Sequence, residues 1–189
     1  MKKKFSIFET DKNFKEAIGA FVIAFSKVEY GLAILCSLTE FDLRKSNLAF
    51  VDCIGLSLEN KLKRISEFIK SDLPELTNIW EDIRNKIGNL NEERRYIIHG
   101  IHNWPLPKDT IRSRIKKGKE IKEKRHSVDD IKKFTDQLHH IETGKYGVNG
   151  EFYNLFTKAR VDYWNHLVSD KHKILFKANG IILSEWQGT

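Results

Sequence analysis

Residues 11–39 read DKNFKEAIGAFVIAFSKVEYGLAILCSLT and decide the fold class of this 189-residue chain. Large apolar residues recur there three or four positions apart, at Phe14, Ile18, Phe21, Phe25, Val28, Leu32 and Leu35. An α-helix turns once in about 3.6 residues, so this spacing places them along one stripe of a single long helix. A long helix that is apolar along one side predicts a mainly helical bundle.

Four further helices are predicted outward from this stretch, at residues 57–71, 74–99, 127–141 and 151–168. Ser57 and Ser127 are placed to cap the second and the fourth helix, the latter in a variant capping box with Asp130. Pro74 stands where a helix start needs no N–H, and Gly100 is placed to end the third helix. Residues 42–55 carry mixed signals, typical of a short helix and a loop.

Short β elements are predicted at two places. The first is a loose hairpin around Lys117-Gly118, and the second is a hairpin whose two-residue turn is Asn179-Gly180. Residues 104–107 (WPLP) cannot continue a helix. We therefore predict one domain over residues 1–189: an all-α bundle of four to five helices with one or two short hairpins. Its core is residues 11–142, with a basic hairpin or loop at 104–126, and residues 151–189 add a helix and a hairpin.

The positive charge of the chain is concentrated in one segment. Nine basic and only three acidic residues lie between Lys108 and Arg125, so this segment carries nearly all of the formal charge of +7. A concentrated basic strip attracts polyanions by counterion release. RNA is the predicted partner, and the predicted contacts are Arg112, Arg114, Lys116, Lys117, Lys119 and Lys122. The alternative is a solvated loop with no partner.

Several classes of protein are disfavoured by the sequence. No apolar run reaches the length of about 20 residues that a membrane span needs, and the basic start lacks a signal-peptide core. A cytoplasmic protein that does not use a membrane is therefore expected. Cys36 and Cys53 each lie in an apolar stretch without a metal-binding pattern, and they are predicted to be buried.

Polar residues interrupt the apolar stripes of two predicted helices. In the third helix the stripe through Ile87 and Leu90 continues to Arg94, and in the first helix Glu29 interrupts it in the same way. A buried guanidinium is costly unless an anion meets it. Asn91, Arg95 and His99 are four residues apart and share the neighbouring face. The end of the third helix therefore presents groups that suit the binding of phosphate. Tyr96, in the same segment, is predicted to be exposed.

The segment from Arg94 to Gly100 resembles the Arg-x4–6-His motif of the HEPN superfamily. Arg94 is followed by four residues, then by His99 and Gly100 at the helix end, and Asn91 precedes the motif. The family usually has Asn, Asp or His directly after the motif arginine, whereas this chain has Arg95. The order of predicted helices over residues 11–142 is also similar to these small helical domains.

The resemblance implies a function in RNA cleavage. Many HEPN proteins are metal-independent endoribonucleases of toxin–antitoxin, abortive-infection and CRISPR-associated systems. They commonly act as homodimers with two motifs at one cleft, and no cofactor is implied. In such a reaction the ribose 2′-OH attacks the adjacent phosphate and leaves a 2′,3′-cyclic phosphate. His99 is the candidate acid or base, and Arg94 or Arg95 the candidate phosphate ligand.

Dimerisation is part of this hypothesis. Arg94 and His99 are five residues apart, so they point about 140° away from each other on a straight helix. They converge on one phosphate only if the helix frays at Ile98 or if a second subunit supplies the other group. Asn91, Arg95, Glu29 and His102 are the expected supporting residues.

Other interpretations stay open. Arg94 can pair with Glu29 while His99 caps the helix, which assigns both residues a structural role. His99 and His102 can be a metal-ligand pair, although no carboxylate follows at ligand spacing. A second Arg-x5-His stretch, from Arg160 to His166, lies inside a predicted helix without a following glycine. The chain can also be a catalytically silent HEPN-like module that binds RNA or a partner protein, or a helical interaction protein whose function is its dimer.

Overall fold

A computed structural model gives the fold of residues 7–39, 46–103 and 110–167. The elements follow in the order α1 (Ile7–Ser37), α2 (Ser46–Gly55), α3 (Leu58–Asp72), a 3₁₀ turn (Pro74–Leu76), α4 (Thr77–His99), β1 (Ile101–Asn103), β2 (Thr110–Lys117), β3 (Glu120–Ser127), α5 (Val128–Thr143) and α6 (Glu151–Leu167). The predicted mainly helical fold is confirmed. The described part has six α-helices rather than four to five, because residues 46–55 form a helix of their own. The predicted C-terminal hairpin and residues 104–107 lie outside the described residues.

α1 is the central helix of the core. Six of the seven predicted stripe residues are at most 1% exposed: Phe14, Phe21, Phe25, Val28, Leu32 and Leu35. The seventh, Ile18, is partly buried against the same cluster. The opposite face of α1 remains open, with Ile23 62% and Tyr30 56% exposed. The apolar stripe therefore packs α1 against its neighbours, as the sequence predicts.

α1 is also the one described helix whose length and hydropathy satisfy the criterion for a membrane span. Of its most apolar window, 44% is buried inside the protein. The sequence expectation that no segment is apolar enough therefore needs correction on this point. Burial of this window is what a central core helix requires, and that requirement raises the hydropathy of the helix.

Side-chain caps set the starts of two helices as predicted. The Ser57 side chain accepts a hydrogen bond from the backbone N–H of Asn60 at the start of α3. At α5, Ser127 and Asp130 form a reciprocal capping box. Each cap satisfies backbone donors that a helix start leaves without partners. The cap at Ser127 also fixes the point where β3 turns into α5.

The sheet is antiparallel with the strand order β1-β2-β3. Directly opposed residues include Ile111 with His126 and Arg114 with Glu123 in the β2–β3 pair, and His102 with Ser113 in the β1–β2 pair. Gly118, in the turn between β2 and β3, has a φ of 64°, a conformation that glycine adopts without the steric cost of a Cβ atom. The predicted hairpin around Lys117-Gly118 is confirmed. The sequence missed β1, which is three residues long.

Candidate functional site

Arg94 and Glu29 face each other between α4 and α1. The Nη1 atom of Arg94 lies 3.4 Å from Oε1 of Glu29, and their side chains are 30% and 27% exposed. The guanidinium carbon also lies 4.6 Å from the centroid of the Phe25 ring. The predicted pairing of Arg94 with Glu29 is confirmed. The two contacts hold the guanidinium at the edge of the core, while 30% of the Arg94 side chain is exposed to solvent.

Arg95 lies on the outer side of α4 and pairs within its own helix. Its Nη1 atom is 3.5 Å from Oε2 of Glu92, and the other oxygen of Glu92 accepts a hydrogen bond from Lys117 at 3.1 Å. One carboxylate therefore joins Arg95 to the end of β2. Asn91, one turn earlier, is half-buried on the neighbouring face.

His99 is the last residue of α4, and its side chain is exposed. Within residues 7–39, 46–103 and 110–167, no hydrogen bond or ion pair engages its imidazole. The alternative in which His99 caps its own helix is therefore not what the described structure shows. An imidazole at this position is accessible to a substrate from solvent.

The helix stays regular up to His99. α4 spans Thr77–His99 without a break, and Ile98 packs against the core cluster. Fraying at Ile98, one of the two routes that would bring Arg94 and His99 together, is absent from this structure. At about 100° per residue, the two side chains leave the helix about 140° apart. Arg94 is directed toward α1, and His99 lies on the open side.

Gly100 connects this helix end to the sheet at very close range. A Cβ atom on Gly100 would lie 2.3 Å from the carbonyl oxygen of Tyr96 and 3.0 Å from the Cβ of Ser113. Its φ and ψ of −71° and 149° are extended, so space rather than a left-handed backbone requires glycine here. The predicted helix stop is confirmed, although with different backbone geometry. His102 lies two residues after Gly100, and its backbone pairs with that of Ser113 on β2. The side chain of His102 lies outside the described residues.

Sequence reasoning missed a buried polar cluster on the other side of α4. Glu93 accepts hydrogen bonds from Lys124 at 2.5 Å and from Nε2 of His126 at 2.8 Å. Burial raises the pKa of Glu93, but these hydrogen bonds outweigh burial and leave the pKa below its ordinary value. His126 is 3% exposed. The cluster attaches the hairpin to α4 within two turns of His99.

Tyr96 belongs to this cluster, and the prediction that it is exposed is wrong. Tyr96 is 3% exposed, with its ring centroid 6.4 Å from that of His126 and 5.0 Å from Nζ of Lys124. The hairpin covers the ring, and a contact between positions so distant in sequence leaves no local signal. A stacking or modification role for Tyr96 therefore has no support.

The basic hairpin is divided into two faces. Arg112, Arg114 and Lys116 occupy alternate positions of β2 and so share one face, which we call the outer sheet face. Lys117 and Lys122 lie on the opposite face by register, and Lys119 lies in the turn. The six predicted RNA contacts therefore do not form one continuous strip.

The second Arg-x5-His stretch lies within α6, as predicted. Arg160 is half-buried, and burial lowers its pKa. His166 lies in the same helix, but its side chain is outside the described residues. Arg94 and Arg160 are both half-buried, so burial alone does not distinguish the two stretches.

The described part of the chain contains no candidate metal site. No group of three or more His, Cys, Asp or Glu side chains there is close enough together to hold a metal ion. The His99–His102 alternative depends on a side chain outside that part.

Comparisons with protein-family models, with curated proteins and with solved structures gave no match for this chain. The likeness to the HEPN superfamily therefore depends on the segment from Arg94 to Gly100 and on the order of helices.

Proposed function

We propose that this protein is a metal-independent RNA endonuclease with a HEPN-like site, acting as a homodimer in the cytoplasm in a toxin or antiviral-defence role. The observation that carries the proposal is the exposed imidazole of His99 at the end of the helix that also holds Arg94 in a fixed, part-exposed position. An imidazole can transfer a proton near neutral pH and a guanidinium can stabilise the charge that develops on a phosphate, and both properties suit RNA cleavage without a metal. An antitoxin or another defence protein is the expected regulatory partner.

In the proposed reaction, His99 accepts the proton of the ribose 2′-OH as the 2′ oxygen attacks the adjacent phosphorus. The bond from phosphorus to the 2′ oxygen forms, and the bond to the 5′ oxygen breaks. The 5′ oxygen takes a proton from solvent and leaves as a hydroxyl, the protonated His99 returns its proton to solvent, and a 2′,3′-cyclic phosphate remains. Arg94 binds the non-bridging oxygens, on which negative charge builds in the transition state.

The contact with Glu29 is compatible with this role of Arg94. A guanidinium carries five N–H donors, and Glu29 engages Nη1 only, at 3.4 Å. The guanidinium carbon lies over the ring of Phe25, 4.6 Å from its centroid. Glu29 and Phe25 therefore act as positioning residues, and the remaining donors are left for a phosphate.

The geometry of α4 supports the proposed homodimer. Because the helix is regular up to His99, a single subunit presents Arg94 and His99 on different sides. A second copy that brings its own His99 toward Arg94 completes the site. Arg95 and Asn91 lie between these two positions around the helix and would contact the same RNA strand.

Cleavage of RNA by the His99→Ala variant tests the proposal. A fluorescent single-stranded RNA is incubated with the wild-type protein in EDTA, and the ends of the product are analysed. We expect a 2′,3′-cyclic phosphate and a 5′-OH from the wild type, and no product from His99→Ala, which should still bind the RNA. Replacing the 2′-OH at the cleaved position by hydrogen should also block the reaction.

His139→Ala is the matched control, because His139 is 48% exposed on α5 and far in sequence from the motif. It should cleave like the wild type. Cleavage by His99→Ala at the wild-type rate, or wild-type cleavage that EDTA abolishes, contradicts the proposal.

The Arg94–Glu29 ion pair also favours a second candidate function. A carboxylate that already neutralises the motif arginine suits a catalytically silent module that binds RNA or a partner protein. This candidate predicts that the wild type binds RNA but leaves it intact in the same assay.

A further inference from the structure

The register of β2 against β3 places an evenly spaced row of cations on the outer sheet face. Arg112, Arg114 and Lys116 follow one another at alternate positions of β2, and Arg125 lies directly opposite Arg112 on β3. Alternate residues of a strand are about 6.6 Å apart on one face. Like charges directly opposite each other destabilise a sheet, so the Arg112–Arg125 pairing needs an anion to offset it.

Glu123 supplies part of the negative charge that this pairing needs, and it contacts two of the cations. Its carboxylate contacts Nε of Arg112 at 2.5 Å and Nε of Arg114 at 2.9 Å. Hydrogen bonds from Arg114 and the charge of Arg112 keep the pKa of Glu123 below its ordinary value. One carboxylate cannot neutralise two guanidiniums. The pair is therefore fixed in position and still positively charged, which lowers the ordering cost of binding an anion.

Two lysines of the opposite face of the hairpin are already paired with carboxylates of α4. Lys117 and Lys124 donate to Glu92 and Glu93 of α4. On the outer sheet face, by contrast, Glu123 is the one acidic residue of β2 and β3. Lys116 and Arg125 are exposed there. Lys122 on the opposite face and Lys119 in the turn are also exposed, but the outer sheet face, with four cations and one carboxylate, holds the largest share of the positive charge of the hairpin.

The row ends beside an apolar side chain. Ile121 lies directly opposite Lys116 and is 74% exposed, the largest exposure among the large apolar residues described. A charged row with an apolar neighbour suits a strand whose bases are unstacked and can contact protein, since unstacked bases pack on apolar groups while their phosphates meet cations. In a duplex the bases are stacked inside and cannot reach Ile121.

We propose that the outer sheet face binds single-stranded RNA, with successive phosphates along Arg112, Arg114 and Lys116, a further phosphate contact at Arg125 and a base against Ile121. The spacing of this straight row is comparable to one nucleotide step of an extended strand. This inference deepens the proposed function by naming the class of substrate and the surface that recruits it. The role of this surface in recruiting a substrate depends on the proposed function, but the binding itself can be measured without cleavage.

Binding is measured with a fluorescein-labelled oligouridine of 12 nucleotides whose sugars are all 2′-O-methylated, so that the proposed cleavage cannot occur. The affinity of the full-length protein is determined by anisotropy at several salt concentrations. Each phosphate contact with a single strand contributes about 0.7 to the slope of log affinity against log salt. The double variant Lys116→Gln, Arg125→Gln should bind about tenfold more weakly, and its slope should be shallower by about one unit or more.

The matched control is the double variant Lys132→Gln, Lys158→Gln, which removes the same charge from exposed positions of α5 and α6. It should keep the affinity and slope of the wild type. Equal weakening in both double variants overturns the proposal, because it shows attraction by net charge alone. Equally tight binding of a methylated duplex, or of polyglutamate of equal charge, overturns the assignment to a single strand or to RNA.

The outcome is separable from that of the proposed nuclease. If the wild type binds the methylated strand through this face but never cleaves unmodified RNA, the inference stands and the nuclease proposal fails. If the wild type cleaves RNA in EDTA while the Lys116 and Arg125 double variant binds normally, the nuclease proposal stands and the inference fails.

Discussion

Nη1 of Arg94 lies 3.4 Å from Oε1 of Glu29, in an ion pair that joins α4 to α1 across 65 positions of the chain. Each residue interrupts the apolar stripe of its own helix, and each supplies the charge that the other needs at the edge of the core. The pair therefore connects α4 to α1 and helps to position the guanidinium in the proposed site.

The stability of this pair can be measured with a double-mutant cycle of Glu29→Gln and Arg94→Gln. Both side chains are less than a third exposed, so we expect a coupling free energy of about 1 kcal/mol from urea unfolding. The exposed pair Arg84–Glu81 on the same helix is the matched control and should couple by about 0.3 kcal/mol. Additive effects of the two substitutions at positions 29 and 94 would show that the contact contributes nothing to folding.

The stabilisation that Glu93 contributes to the folded protein should be lost in acid. Its pKa is lowered in the folded state, so the unfolded chain binds the proton first as the pH falls. The stabilisation is therefore present above the ordinary pKa of 4.5 and is lost as the pH falls through the lower folded value. Urea unfolding from pH 7 to pH 3 should give a shallower acid loss for Glu93→Gln than for the wild type. Parallel curves for the two proteins would contradict this assignment.

Two glycines of the same region should respond to alanine in opposite directions. Gly100→Ala places a Cβ atom 2.3 Å from the carbonyl oxygen of Tyr96, and we expect a loss of about 1–3 kcal/mol in the free energy of unfolding. Gly88→Ala lies in the exposed middle of α4 with no atom within 4 Å of the added Cβ. It should stabilise the protein by roughly 0.5–1 kcal/mol, because alanine loses less entropy in a helix. Thermal or urea unfolding of both variants measures these changes. An unchanged free energy of unfolding for Gly100→Ala would contradict the close approach of Gly100 to Tyr96.

The two cysteines should be unreactive in the folded protein. Cys36 and Cys53 are both fully buried, with their Sγ atoms 3.0 Å apart. Burial and the neighbouring thiol raise the pKa of Cys53 to about 12, so little of the reactive thiolate exists near neutral pH. A thiol reagent such as DTNB at pH 8 should titrate neither cysteine before urea is added and both afterwards. Rapid reaction of the native protein would show that α1 and α2 do not pack as described.

What the sequence could predict depended on local patterns. The stripe from Phe14 to Leu35 repeats at the helical period, so the central helix was predictable. Ser57 and Ser127 are placed at fixed offsets from the helices that they cap. The contact between Arg94 and Glu29 was predictable as an alternative, because both residues interrupt apolar stripes.

What the sequence could not predict depends on how distant segments meet. Glu93 and His126 each look like surface residues in their own segments, and only the packing of the hairpin on α4 buries them together. Tyr96 is predicted to be exposed, whereas its ring is covered by a strand that begins 24 positions later in the sequence. The division of the basic segment into two faces depends on the register of β2 with β3, since a shift of one residue would exchange the faces.

In the proposed nuclease, Arg94 of one subunit and His99 of another act on one phosphodiester. The most direct test of this claim is a mixed dimer of Arg94→Ala and His99→Ala subunits, isolated through two different affinity tags and assayed for RNA cleavage in EDTA beside the wild type. Either variant alone should be inactive, and the mixed dimer should regain part of the wild-type rate because one Arg94–His99 pairing across the interface is intact. A mixed dimer as inactive as the two variants, beside an active wild type, would contradict the claim.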